Sequence, residues 1–182
     1  MGRPVARLRR MDDRPTKRPY ARIERERRFL VDRLPDGVDA DAYERLDDLF
    51  VRGTHLRLRR VSRPNGEQIV TKLGQKILDP SAPHDPRCRQ MTTIYLPEDE
   101  AAMLSSLPGL RATKRRYKLV EQGWTFCIDV WELPVAAGGT ILAEVEAPSI
   151  EELERIKLPS WALREVTDDA RYSAITLAGA SA

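Results

Sequence analysis

Two carboxylates one residue apart, Glu24 and Glu26, are followed at the same spacing by Arg28. On an extended strand alternate residues share a face, so these three side chains emerge together. The segment 141–146 repeats the device, with Glu144 and Glu146 set against Ala143 and Val145. Asp129 is a lone acid in the apolar run 126–131. The basic counterparts lie on other segments. Arg57 and Arg59 alternate with Leu56 and Leu58, Lys72 and Lys76 share one parity, and Lys114 and Arg116 alternate with Arg115 and Tyr117. Clustered carboxylates repel one another unless a cation compensates them. Oxygen donors without His or Cys favour a hard ion, Mg²⁺ or Mn²⁺. Neighbouring Arg and Lys groups call for a polyanion, and the guanidinium fork suits phosphate oxygens. Together the two sets indicate a phosphate chain bound with its metal ion, and phosphoryl or nucleotidyl transfer as the chemistry.

Strands must position these groups, and their apolar faces must pack on something. Helices are expected over 39–51, where Tyr43, Leu46, Leu49 and Phe50 have helical spacing, and over 98–107, whose acidic first turn follows Pro97. Ser149-Ile150-Glu151-Glu152 is a capping box that opens a third helix through Ile156, and 168–178 is the fourth. Apolar strand faces then point outward at helices and charged faces point at each other. An open sheet with its charged face in water is the plain alternative. Basic and acidic strands are interspersed along the chain, however, and a closed antiparallel barrel with a hydrated lumen accommodates both while removing sheet edges. The expected fold is α+β: a closed eight-stranded antiparallel β-barrel with helices on its outer face.

The rest of the composition bounds the reading. The chain has 182 residues and a formal net charge of +3. That charge is uneven: residues 1–22 carry eight Arg and Lys against Asp12 and Asp13, whereas the remainder carries 23 basic and 26 acidic groups. Residues 1–22 also lack apolar periodicity and are expected to be a disordered basic tail, with the domain at 23–178 and a short tail at 179–182. The longest stretches without charge are eleven residues, against the roughly 20 a membrane helix needs, and no apolar run follows the N-terminal arginines. Neither a membrane span nor a signal peptide is expected. Cys88 and Cys127 form no C-x-x-C pair, which fits a reducing cytoplasm. P-loop, dinucleotide-binding, zincin and nucleophile-elbow signatures are all absent. Aromatic residues are only 6%, so nucleic acid is expected at most on the basic tail.

The charged segments resemble, in order, the motifs of the CYTH superfamily, the triphosphate tunnel metalloenzymes. Glu24-Arg25-Glu26-Arg27-Arg28 is similar to its E-x-E-x-K signature, Leu56-Arg57-Leu58-Arg59 to L-R-x-R, and Leu73-Gly74-Gln75-Lys76 to L-T-x-K. Lys114-Arg115-Arg116-Tyr117 resembles K-x-R-Y, Asp129-Val130-Trp131-Glu132 resembles D-x-F-x-G, and Ala143-Glu144-Val145-Glu146 resembles A-E-V-E. Glu165–Tyr172 is close to the E-V-T-D-D-P-R-Y of bacterial members. The resemblance spans 23–178 and implies an eight-stranded tunnel that binds a small triphosphate. It implies Glu24, Glu26, Glu144 and Glu146 as metal ligands, with Asp129 assisting. It implies Arg28, Arg57, Arg59, Lys76, Lys114 and Arg116 as the phosphate clamp; Lys72 joins them by parity. Glu24, Glu26, Arg28 and Asp129 are the residues expected to carry catalysis. Tripolyphosphate hydrolysis is the leading expectation; adenylyl cyclisation or binding without turnover are the alternatives, and a homodimer is open. Three departures stand out: Arg28 replaces a lysine, Gly74 replaces a threonine, and Thr93 and Tyr95 stand where many members have alternating glutamates.

Overall fold

The computed structural model describes residues 20–180, so the expectations for residues 1–19 and 181–182 lie outside the described residues. Eight strands form the body: β1 (Arg22–Val31), β2 (Glu44–Val51), β3 (Leu56–Ser62), β4 (Gln68–Leu78), β5 (Cys88–Tyr95), β6 (Gly109–Glu121), β7 (Trp124–Leu133) and β8 (Ile141–Glu146). They are hydrogen-bonded in the order β5-β4-β3-β2-β6-β7-β8-β1, and β1 returns to β5. The ring is therefore closed and antiparallel throughout. One edge of β1 pairs with β8 from Glu26↔Glu146 to Val31↔Ile141. Its other edge is shared: Arg22–Arg25 pair with β5, and Phe29–Val31 pair with a short ninth strand, β9 (Ala162–Glu165).

Local chemistry sets the register of the longest hairpin. Gln122 and Gly123 both adopt positive φ (53° and 80°), the backbone of a two-residue type I′ turn. That turn pairs Glu121 with Trp124, and each step along the ladder then fixes which side chains face inward.

The outer face is apolar and covered by helices. Phe29, Tyr117, Phe126, Ile128, Ala143 and Val145 pack with Leu153 of α2 (Ile150–Arg155) and with Ile156 just after it. Ser149 caps α2 as the sequence predicts, accepting the Glu152 backbone N–H at 3.1 Å. Leu49, Val51 and Leu58 pack with Leu96 and with Leu104 of α1 (Glu98–Ser105). At one end of the barrel Phe50, Ala112 and Trp131, which share the inward parity of Asp48, Lys114 and Asp129, meet Ala174, Leu177 and Ala178 of α3 (Ala174–Ala178).

Two expectations are corrected. Residues 39–51 do not form a helix: their second half is β2, paired on both edges with β3 and β6. The step of four from Leu46 to Phe50 suits a helix face, but it is also an even number and so fits one strand face. Tertiary pairing, which satisfies the backbone on both sides, decides for the strand. The helix expected over 168–178 is divided. A single 3₁₀ turn, Ala170–Tyr172, precedes α3, and Ser173 caps α3 by accepting the Thr176 N–H.

Candidate functional site

Along β1, the alternation puts Phe29 on the helix-covered face and Glu24, Glu26 and Arg28 inside, all three with relative exposure below a tenth. Near the end where β1 begins, Glu24, Glu26 and Glu146 each bring a carboxylate oxygen within 4.8 Å of the others. Lys76 Nζ lies 2.7 Å from Glu26 and 3.4 Å from Glu24, and Arg22 is 2.6 Å from Glu24. Burial raises the Glu146 carboxyl pKa, and the neighbouring Glu24 and Glu26 raise it further. Three crowded hard oxygens with one resisting ionisation form a donor set that fits a small divalent cation. Glu144, the fourth expected ligand, does not join them. Its Oε2 accepts a hydrogen bond of 2.9 Å from Arg116.

Deeper in the lumen the charges are mainly positive. Lys114 donates to Asp129, and Arg116 grips the same carboxylate with two bonds of 2.6 and 2.7 Å. Arg59 binds Asp48 in the same forked manner at 2.7 Å on both oxygens, and Arg57 stands 4.0 Å from Asp48. Burial alone would raise the Asp129 pKa, but Arg116 and Lys114 outweigh it and hold the carboxyl well below the usual range. Asp48 is held down likewise, by Arg59 and Arg57 against burial. Burial and then Arg59, Arg57 and Arg116 lower the Lys72 ammonium. Lys114 is also lowered, with burial exceeding the help of Asp129. Five cations, Arg57, Arg59, Lys72, Lys114 and Arg116, thus share the deeper lumen with three acids, Asp48, Asp129 and Glu144.

The two ends of the barrel differ. At the α3 end Trp131 is 2% and Phe50 8% exposed. The C-terminal segment is tied there by Arg28, whose guanidinium donates to the backbone carbonyls of Thr167 and Tyr172, both at 2.9 Å. Thr167 Oγ1 in turn accepts from the Arg28 backbone N–H at 3.0 Å. The opposite end is open: Tyr95 is 72% exposed, and a cleft of about 280 Å³ lies between Arg22–Arg25 and Glu146–Pro148.

The closed antiparallel ring has solved counterparts. The crystal structure of the inorganic triphosphatase NE1496 superposes with a TM-score of 0.54 at 26% identity, covering 87% of this chain and 95% of that one. A second structure, of NE1496 described as a hypothetical protein, gives the same score and identity and is covered over 99% of its length. The closed eight-stranded ring and this likeness support the resemblance of the sequence motifs to the CYTH superfamily. No protein-family model matches this chain, and no curated protein matches it in sequence.

The departures from the CYTH motifs now have local explanations. Arg28, in the lysine position, spends its guanidinium on the C-terminal segment; the longer fork reaches two carbonyls at once. Gly74 faces the lumen between Lys72 and Lys76, and a Cβ there would lie 2.8 Å from Met91 Cε. The methionine methyl therefore occupies the space a threonine would need. Thr93 is the cross-strand partner of Gly74, and Tyr95 that of Lys72. Asp48, the counterion of Arg59, escaped the sequence reading altogether. Its signal was the alternation Leu46-Asp48-Phe50 against Asp47-Leu49-Val51, hidden by the helical reading of the same segment.

Proposed function

We propose that this CYTH-like barrel hydrolyses a small triphosphate, inorganic tripolyphosphate first, with a divalent cation. One observation carries the reading: the inward faces of one closed ring carry both the acidic trio Glu24, Glu26 and Glu146 and the cation cluster Arg57, Arg59, Lys114 and Arg116, with Glu144 bonded to Arg116 two residues from Glu146. The 26% identical neighbour that is an inorganic triphosphatase supports it. Mg²⁺ or Mn²⁺ held by Glu24, Glu26 and Glu146 would supply charge neutralisation at phosphate oxygens and an acidified water. Arg57, Arg59 and Lys72 hold one part of the phosphate chain, and Arg116 and Lys114 another, so that the chain lies straight. Their charges are already in place when negative charge grows on the leaving phosphate, so little reorganisation is needed. Asp129 keeps Lys114 and Arg116 oriented for this task, and Glu144 holds the other side of Arg116. A cytoplasmic setting agrees with two free cysteines.

The engagement of Arg28 with backbone carbonyls favours one second reading, a triphosphate binder without turnover, because Arg28 is then absent from the reacting atoms. Phosphate release from tripolyphosphate, ATP and thiamine triphosphate, with Mg²⁺, Mn²⁺ or EDTA, separates the two. Metal-dependent release that Glu24→Gln abolishes supports the hydrolase. Saturable binding with no release supports the binder, and cyclic AMP from ATP would overturn both.

A further inference from the structure

Trp131 stands two residues beyond Asp129 on β7, where the motif D-x-F-x-G has phenylalanine. It shares the inward parity of Asp129, and its cross-strand partner is Lys114. The indole is buried at the α3 end of the lumen, packed with Phe50, Ala112 and Ala178. The Lys114 ammonium lies over the ring, 5.2 Å from its centroid, and donates to Asp129 as well. Two partners therefore hold this buried cation, one a carboxylate and the other a ring face. Around them, Glu144 on β8 attracts the ammonium, and Arg116 on its own strand and Arg59 on β3 repel it. An ammonium has three donor protons, and among the described residues Asp129 is its one acceptor, so donors remain for a phosphate oxygen. The indole N–H, in contrast, is buried with no acceptor among the described residues. A buried unpaired donor is destabilising, and phenylalanine would fill the position without one. Packing by itself does not call for an indole here. What the indole offers over a phenyl ring is the stronger attraction for a cation at its face.

We propose that Trp131 is a positioning residue of the phosphate site, acting through Lys114. Its ring face draws the ammonium from one side and Asp129 from another, so the charge is already placed when a phosphate oxygen arrives. Without the ring the ammonium settles on its carboxylates, and a phosphate has to draw it out. A second carboxylate could hold the ammonium as firmly, but its negative charge would repel the phosphate; the uncharged ring holds the cation without that repulsion. This rests on the triphosphate-site reading above and adds to it a residue that touches no phosphate.

The test is tripolyphosphate binding to the full chain in EDTA, by calorimetry, so that turnover does not enter. Tryptophans of increasing ring fluorination are placed at position 131 alone. Fluorine withdraws charge from the ring face with little change of shape, so the fold is kept while the attraction for the cation fades. Tripolyphosphate affinity is expected to fall stepwise, by about tenfold across the series. In the Lys114→Gln background, which retains Arg57, Arg59, Lys72 and Arg116, the same series should be flat. Trp131→Phe keeps a ring face and should lose about threefold or less, whereas Trp131→Leu keeps none and should lose about tenfold. A flat series in the wild-type background overturns the proposal, and so does an equal fall in the Lys114→Gln background. A loss in Trp131→Phe as large as that of the most fluorinated ring would assign the effect to the indole N–H and overturn it too. Failure of the unmodified protein to bind tripolyphosphate would instead sink the triphosphate-site reading, and this proposal with it.

Discussion

Replacing Asp48 by asparagine removes a charge that no catalytic step uses, and its consequences can be worked from the geometry. The Asp48 side chain is 1% exposed, and Arg59, which it binds through both oxygens, is 6% exposed. Breaking a buried pair from one side costs about 3–5 kcal/mol, because the surviving charge stays buried without a partner. Asparagine keeps one acceptor oxygen for Arg59, so the lower end applies, about 3 kcal/mol. In a chain of this size each kcal/mol moves Tm by roughly 2–4 °C, giving a fall of about 6–12 °C in thermal melts followed by circular dichroism. The pH dependence has a definite sign. The Asp48 carboxyl is depressed below its ordinary 3.8, so its contribution is fully present above that value and is lost as pH falls toward the folded-state value. The gap between wild type and Asp48→Asn should hold steady from neutral pH to about pH 5 and close only in stronger acid. Tripolyphosphate returns negative charge to Arg57 and Arg59, so it should stabilise the variant more than the wild type. A Tm loss below about 2 °C would refute the assigned cost of the unpaired arginines. Equal stabilisation of both proteins by tripolyphosphate would refute the role of Asp48 as a stand-in for phosphate.

Other consequences can be checked alongside. Glu146→Gln should relieve the crowding of Glu24 and Glu26 and so leave the apo protein as stable or more so, while the Tm increase produced by Mn²⁺ disappears; a retained Mn²⁺ response would remove Glu146 from the donor set. Arg28→Lys forfeits one of two charge-assisted bonds to the C-terminal segment, a loss of about 1.5–3 kcal/mol, and hydrogen exchange should accelerate in 166–178 while β6 and β7 stay protected. Uniform acceleration across the chain would contradict that local role. Lys72 is depressed from 10.5 by burial and by Arg59, Arg57 and Arg116, so tripolyphosphate should raise it and binding in mildly alkaline buffer should take up a proton. Calorimetry in buffers of different ionisation enthalpy measures that uptake, and Lys72→Gln should abolish it.

Much of the barrel was legible in the sequence because strand parity is a strict code. Glu24, Glu26, Arg57, Arg59, Lys76, Lys114, Arg116, Asp129 and Glu146 all face the lumen as alternation requires, and Ser149 caps its helix where the capping box stands. The one strand that was missed, β2, carries apolar residues at an even spacing of four, which satisfies helix and strand alike; only pairing with β3 and β6 resolves it. Parity tells which side of a strand a group occupies but not which partner it meets across the barrel. Glu144 and Glu146 are two residues apart on one face, yet Glu146 joins Glu24 and Glu26 whereas Glu144 is held by Arg116. Strand tilt and the reach of each side chain decide that outcome, and both exist only once the ring closes. The same holds for Arg28. Its type and inward direction are set by the chain, but its attachment to Thr167 and Tyr172 depends on where the C-terminal segment packs, more than 130 residues away in sequence. Local alternation determined the kind of cavity this chain builds, and closure of the barrel decided which charges inside it meet and which end stays open.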